Sequence, residues 1–321
     1  MSKVFTSEIG RYIKSDDLDG LISKLHKGTY VSKGRFSATI RGIVEDFEWN
    51  HIDQTHRLYL HDAYHDALRI ATSKDIAISL TTWKNLPVYI QVADMRIDRG
   101  LFYQNYTILG LLFCHQTCRM IQQGENVLLD IQWSTVSHRF LWFVHGMFNK
   151  MMYKLIKKQS DEDYPVRMRR DELRAQGFRF KTDEPDYFNS NVLSDMIIFP
   201  ETDLPKKFKI SGLELNKRQK IQIGPTDFYV VRGESEVQVW PATCTHEGAV
   251  LPESKFCDGA VACPWHNRKF KAVTLQNGKG RYLLGNLVLT LEGDELVLRV
   301  STTKQASESI GRDAVSNEKL L

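Results

Sequence analysis

Cysteine is scarce in this chain. Five cysteines in 321 residues are too few for a disulfide framework. Long apolar runs are missing as well. No uncharged stretch reaches the roughly 20 residues that a bilayer crossing needs, so no membrane span is expected. The start, Met1-Ser2-Lys3-Val4-Phe5, has no apolar core followed by a small-residue cleavage site, and no twin-arginine pair precedes an apolar run. Excess charge is also lacking. A net charge of +4, with the two signs mixed along the chain, offers nothing for nucleic acid. These absences lead us to expect a soluble cytoplasmic protein. The length suggests two domains, and the 42% of apolar residues suffices for two cores.

What the sequence does contain is two matched pairs of metal-ligating residues. Cys244-Thr245-His246-Glu247-Gly248-Ala249 is answered, after a gap of sixteen residues from His246, by Cys263-Pro264-Trp265-His266. Each pair lies in a turn-prone segment, so two loops could close on one metal centre. A structural zinc site usually takes C-x(2–4)-C with H-x(3–5)-H. Here each half offers one Cys and one His, which suits a [2Fe–2S] cluster with thiolates on one iron and imidazoles on the other.

The stretch 205–300 resembles the Rieske family. The likeness includes Gly248 and Leu251 after the first pair, and Pro264, Trp265 and Phe270 around the second. It implies that Cys244, His246, Cys263 and His266 hold a Rieske [2Fe–2S] cluster. High-potential respiratory members carry two extra cysteines at the positions of Ala249 and Trp265. Their absence points to the oxygenase and ferredoxin type, near the low end of the Rieske range, about −150 mV. Asn267 stands where many members have Gly.

Upstream, residues 1–30 read as a helical preface, with Leu18, Leu21, Ile22 and Leu25 at helical spacing. A strand over 36–45 leads into a His-rich helix over 48–66. Strands follow at 67–72, 76–83, 88–97, 101–109, 111–120 and 126–133, punctuated by Gly100, Gly110 and Gln123-Gly124. A long helix is expected from Thr135 to Lys158, ended by the run from Ser160 to Pro165. Its apolar side is expected to hold Leu141, Val144, Phe148, Met151, Met152 and Leu155, with His138 and His145 at the edge. The order resembles the START-like (SRPBCC) helix-grip superfamily. The expected fold is therefore α+β: a START-like antiparallel sheet with a long C-terminal helix at 31–159, a connector at 160–204, an all-β Rieske domain at 205–301 and a flexible tail at 302–321. Cys114-His115-x-x-Cys118 falls on a strand that puts both thiols on one face, where buried free thiols are the usual outcome.

Asn50-x-x-Asp53-x-x-His56-x-x-x-x-His61 resembles the mononuclear iron motif of Rieske non-haem iron oxygenases. That resemblance implies Fe(II) on His56 and His61, Asp53 as an electron bridge, and a distant carboxylate as the third ligand. Two departures stand out. The family places its Rieske domain first, whereas here it comes second. The expected helix Thr135–Lys158 contains no Asp or Glu, which leaves Asp130, His138 and His145 as candidate third ligands. His56 and His61 are five apart, about 140° on an ideal helix, so joint ligation needs a break between them; His61 and His65 would meet without one.

Two functions are expected. The first is an oxygenase that oxidises an apolar, aromatic or polycyclic small molecule with O2 and electrons from a reductase or ferredoxin, as a homo-oligomer, a trimer by resemblance. The second is a Rieske ferredoxin-like electron-transfer or ligand-binding protein without mononuclear iron.

Overall fold

The computed structural model describes residues 28–53, 56–72, 75–83, 86–183, 197–200 and 205–300. The preface up to residue 27 and the tail from 301 lie outside the described residues. The chain divides into two compact units with a boundary between Met168 and Arg169.

Alternating apolar patterns build the first unit. Its strands are β1 (Thr29–Arg41), β2 (Tyr64–Thr72), β3 (Ile76–Trp83), β4 (Leu86–Asp98), β5 (Leu101–Ile108), β6 (Leu112–Gln123) and β7 (Asn126–His138). They form one antiparallel sheet in the order β1-β7-β6-β5-β4-β3-β2. Every second residue of β5 is buried, Phe102, Gln104, Tyr106 and Ile108, as a half-buried strand requires. Gly34 faces Trp133 across β1 and β7; any Cβ there would run into the indole, so the bare backbone makes room for the ring.

Helix α1 (Val44–Ile52) and the short helix α2 (Arg57–Leu60) connect β1 to β2. The single helix expected over 48–66 is therefore broken, and its last residues belong to β2. The expected long helix is displaced at both ends. Residues up to His138 stay in β7, Arg139–Val144 form a 3-10 turn, and helix α3 runs His145–Ala175. Pro165 does not end α3. Its side chain is exposed, while Val166, Arg167, Arg170 and Leu173 behind it are buried at helical spacing. The packing of that face outweighs the one hydrogen bond that proline removes.

Helix α3 ends at Ala175, well beyond the expected Lys158, in a turn at Gly177. Phe178 N–H donates to Leu173 O and Gly177 N–H to Arg174 O, with Gly177 at φ +86°. This is a Schellman ending, in which glycine takes the left-handed position at no steric cost. Core contacts of α3 with the sheet come from Phe148, Met152 and Ile156. Met151 and Leu155, expected there, lie half-buried beside them.

The second unit is built on β structure. One four-stranded sheet joins Arg218–Ile223, Thr226–Arg232, Glu236–Pro241 and Val273–Gln276; another joins Lys206–Lys209, Glu295–Val300, Leu287–Glu292 and Tyr282–Leu284. Phe228, Val230, Val239, Leu275, Leu289 and Leu298 form part of their shared core. A third, three-stranded sheet (Phe256–Cys257, Ala260–Ala262, Lys269–Lys271) lies between the two cysteine loops in the chain. Its hairpin turns on Asp258-Gly259, both at positive φ. Aspartate followed by glycine is a strong signal for such a turn, and it was available in the sequence.

Candidate metal centres

The two Cys/His loops share one backbone design. In each, the N–H four residues after the cysteine donates to the cysteine carbonyl: Gly248 to Cys244 and Asn267 to Cys263, both at 2.9 Å. In each, the cysteine N–H donates to the carbonyl five residues on, Ala249 or Arg268, both at 2.8 Å. The design needs a left-handed residue at the fourth position, with φ +82° at Gly248 and +54° at Asn267. Asparagine visits that region readily, so the turn survives without the family's glycine. A Cβ at Gly248 would strike Leu173.

These loops bring together the four predicted side chains. Nδ1 of His246 lies 3.2 Å from Nδ1 of His266. The thiols of Cys244 and Cys263 hydrogen-bond each other. All four side chains are buried. Cys263 is the readier thiolate: the bond from Cys244 and the N–H groups of Trp265 and His266 draw its pKa down. Burial and the neighbouring thiol push Cys244 up. One buried pair of imidazole nitrogens and one buried pair of thiols, brought by the same two loops, fit a cluster with two thiolate and two imidazole ligands.

The loops differ in their surroundings. From Ala242 to Ala249 every residue of the first is buried. Glu247, next to His246, is ion-paired with Arg170, and both side chains are fully buried. Arg170 also stacks on Phe180, 3.9 Å from the ring centre, and Arg169 donates to Gly248 O at 3.3 Å. The second loop reaches the surface at Asn267.

In the first unit, His56 and His61 come together through the break. His56 precedes α2 and His61 follows it in an extended conformation. Their rings lie 5.2 Å apart. His65, the alternative partner of His61, points to solvent beside Asp66 on β2. The third member of the group is Asp163 of α3. Its Oδ1 lies 3.3 Å from His61 Nε2 and 3.8 Å from His56 Nε2. The three donor atoms lie within 4.8 Å of one another.

The other nitrogen of each ring faces another carboxylate. His61 Nδ1 is 2.8 Å from Glu162 Oε2, and His56 Nδ1 is 3.5 Å from Asp53 Oδ2. Metal-bound histidines are commonly oriented in this way. Burial lowers the pKa of His61, favouring the neutral ring that a metal needs. Asp163 Oδ1 is buried without a hydrogen-bond partner, which is rare for a carboxylate and suits an oxygen that ligates a cation. Two imidazoles and one carboxylate suit non-haem Fe(II) with open positions.

The three candidates for a third ligand lie elsewhere. Asp130 pairs with Arg35 at 2.7 Å, which holds its pKa below the usual carboxylate range. His145 has both ring nitrogens 2.7 Å from a serine hydroxyl, Ser32 and Ser137. His138 is exposed and accepts from Phe140 N–H at the start of the 3-10 turn. Asp163 escapes the sequence reading because Pro165 signals the end of a helix. The acidic run Asp161-Glu162-Asp163 is the signal that could have found it.

Cys114 and Cys118 are buried on the inner face of β6. Burial pushes the Cys114 thiol up to about 12 and raises Cys118 further. Cys257 is exposed. Treating the folded, cluster-loaded protein with iodoacetamide should therefore alkylate Cys257 alone, and Cys257→Ser should abolish the label; mass spectrometry of the digested protein reads both.

Among known proteins, the family model of the Rieske [2Fe–2S] domain matches residues 206–282. A comparison with curated proteins gives no match. Solved structures similar to part of the chain include a norcoclaurine synthase point mutant from Thalictrum flavum (10% identity, 46% of this chain and 99% of that one, TM-score 0.38). Two others are TTHA0849 from Thermus thermophilus (12%, 41% and 93%, 0.35) and the Zhui aromatase/cyclase from Streptomyces sp. R1128 (8%, 46% and 96%, 0.33). No described helix is long and apolar enough to cross a membrane. Residues 206–282 are a Rieske [2Fe–2S] domain, and the chain falls in the iron–sulfur electron-transfer class.

Proposed function

We propose that the protein is a Rieske-type oxygenase, with its mononuclear iron held by His56, His61 and Asp163. The observation that carries this reading is the buried Asp163 Oδ1, which accepts no hydrogen bond and lies close to two histidine Nε2 atoms. A cluster passes single electrons, and iron with open coordination positions supplies oxygen activation when bound. The chain's own residues prepare that site. Glu162 orients the His61 imidazole and favours a proton on its Nδ1, leaving Nε2 free for a metal, and Asp53 lies beside His56 Nδ1. Arg167, 3.6 Å from Asp163 Oδ2, holds the carboxylate's other oxygen and turns Oδ1 toward the histidines.

The substrate is an apolar small molecule with a polar group. The inner face of the sheet is mainly apolar, but a polar row crosses it at Asp94, Gln104 and Gln116. Arg57, which follows His56, donates to Asp94 at 3.2 Å, and its Nη1 is buried without a partner. A hydrogen-bond acceptor on the substrate would satisfy that donor. A reductase or ferredoxin supplies the electrons.

The test is iron and acid-labile sulfide per chain after anaerobic reconstitution with Fe(II), followed by oxygen uptake with a chemical reductant. About three irons and two sulfides, with oxygen uptake, are expected. About two irons and two sulfides would reduce the protein to the electron-transfer or ligand-binding alternative.

A further inference from the structure

At one end of the first unit's sheet, large apolar side chains stand out in solvent. Phe140, Trp142 and Phe143 of the 3-10 turn are 61%, 61% and 63% exposed, and Met147 on α3 is 70% exposed. The β5–β6 hairpin adds Leu109 at 64% and Leu111 at 53%. It lies at the same end of the sheet, because Leu112 pairs with Ser137, two residues before the 3-10 turn begins. Leu109 adopts φ +52°, a region where leucine is a genuine outlier. The turn thus holds a strained leucine where asparagine would be at ease and water-compatible. Strain kept at an exposed position is a mark of function, and so is a contiguous apolar patch of this kind.

The charge around the patch selects its partner. From Thr135 to Lys158 the chain contains no Asp or Glu. Met147, Met151 and Leu155 run along α3 beside Lys150, Lys154 and Lys158, and together they line an open groove. Lys158 pairs with Asp62 and Glu162, but Arg139, Lys150 and Lys154 have no acidic partner among the described residues. Apposition of this face with its own copy would bring these like charges together. An anionic surface would neutralise them, and aromatic rings with flanking lysines are what the interface of a lipid bilayer takes up.

We propose that this end of the first unit is a peripheral docking surface for anionic lipid membranes, with Phe140, Trp142, Phe143 and Leu109 entering the headgroup region and Lys150 and Lys154 engaging lipid phosphates. Nothing crosses the bilayer; the protein lies on it. The inference stands apart from the mononuclear iron reading and does not require it.

The test uses the full, cluster-loaded chain and two kinds of vesicle, phosphatidylcholine alone and phosphatidylcholine with about a third phosphatidylglycerol. Co-sedimentation with the anionic vesicles is expected, weakening at about 0.3 M salt, with a blue shift of tryptophan fluorescence. Trp142→Ser with Phe143→Ser should lower partitioning at least about tenfold. Lys150→Glu with Lys154→Glu should lower it about fivefold or more per lysine. All four positions are off the core, and the cluster's visible absorption checks that each variant is folded. Three results would overturn the proposal: a folded full chain that stays in the supernatant, partitioning that ignores lipid charge and the lysine changes, or a dimer that Trp142→Ser with Phe143→Ser dissociates while vesicles are not bound.

Discussion

Asp163→Ala is expected to remove one iron per chain and leave the cluster in place. Iron content after Fe(II) reconstitution should fall from about three to about two per chain, with acid-labile sulfide unchanged at about two. Oxygen uptake should fall to the background of the reductant, because two histidines alone hold Fe(II) weakly. The reduced-state EPR signal of the cluster should keep its shape, since the cluster's ligands come from other loops. Asp163→Glu separates ligation from mere charge. The longer side chain keeps the negative charge but displaces the oxygen from its place between the histidines, so partial metal binding with poor uptake is expected. Should Asp163→Ala retain three irons and full uptake, the carboxylate ligand lies elsewhere and the site must be redrawn.

The second large effect concerns the ion pair beneath the first cluster loop. Arg170 and Glu247 are both fully buried, and removing one partner of such a pair leaves the other as an uncompensated buried charge. Arg170→Met should therefore destabilise the second unit by about 3–5 kcal/mol, read as a lowered denaturation midpoint of cluster-loaded protein. Combining Arg170→Met with Glu247→Leu should recover most of that loss, because two apolar side chains of similar volume can replace a buried pair at little cost. If the double variant is as unstable as the single one, the pair does more than balance charge. Arg170 also contacts Asp183 at 3.6 Å, so the single variant loses that contact too.

How far the sequence revealed this arrangement depended on how local each signal was. The cluster loops were readable because their chemistry sits within a few residues of each cysteine, and the backbone bonds that shape them span only four or five positions. Strands β3 to β7 were readable because alternation repeats over eight residues or more. The histidine pair was readable, but its requirement for a break was met by α2, which no single residue announces. Asp163 was missed for a different reason. Proline is a strong local signal against a helix, and only the tertiary packing of Val166, Arg167, Arg170 and Leu173 overrides it. The short hairpin at Asp258-Gly259 is signalled by its own two residues.

The matched backbone of the two cluster loops hides an inequality that gives the centre a direction. The first loop is enclosed throughout, with a buried acid–base pair directly behind His246. The second opens to solvent at Asn267, one residue after His266. Tunnelling falls steeply with distance, and a soluble donor cannot approach through a wall of packed side chains. An outside donor is therefore expected to exchange electrons with the cluster at the His266 edge, where the second loop meets solvent.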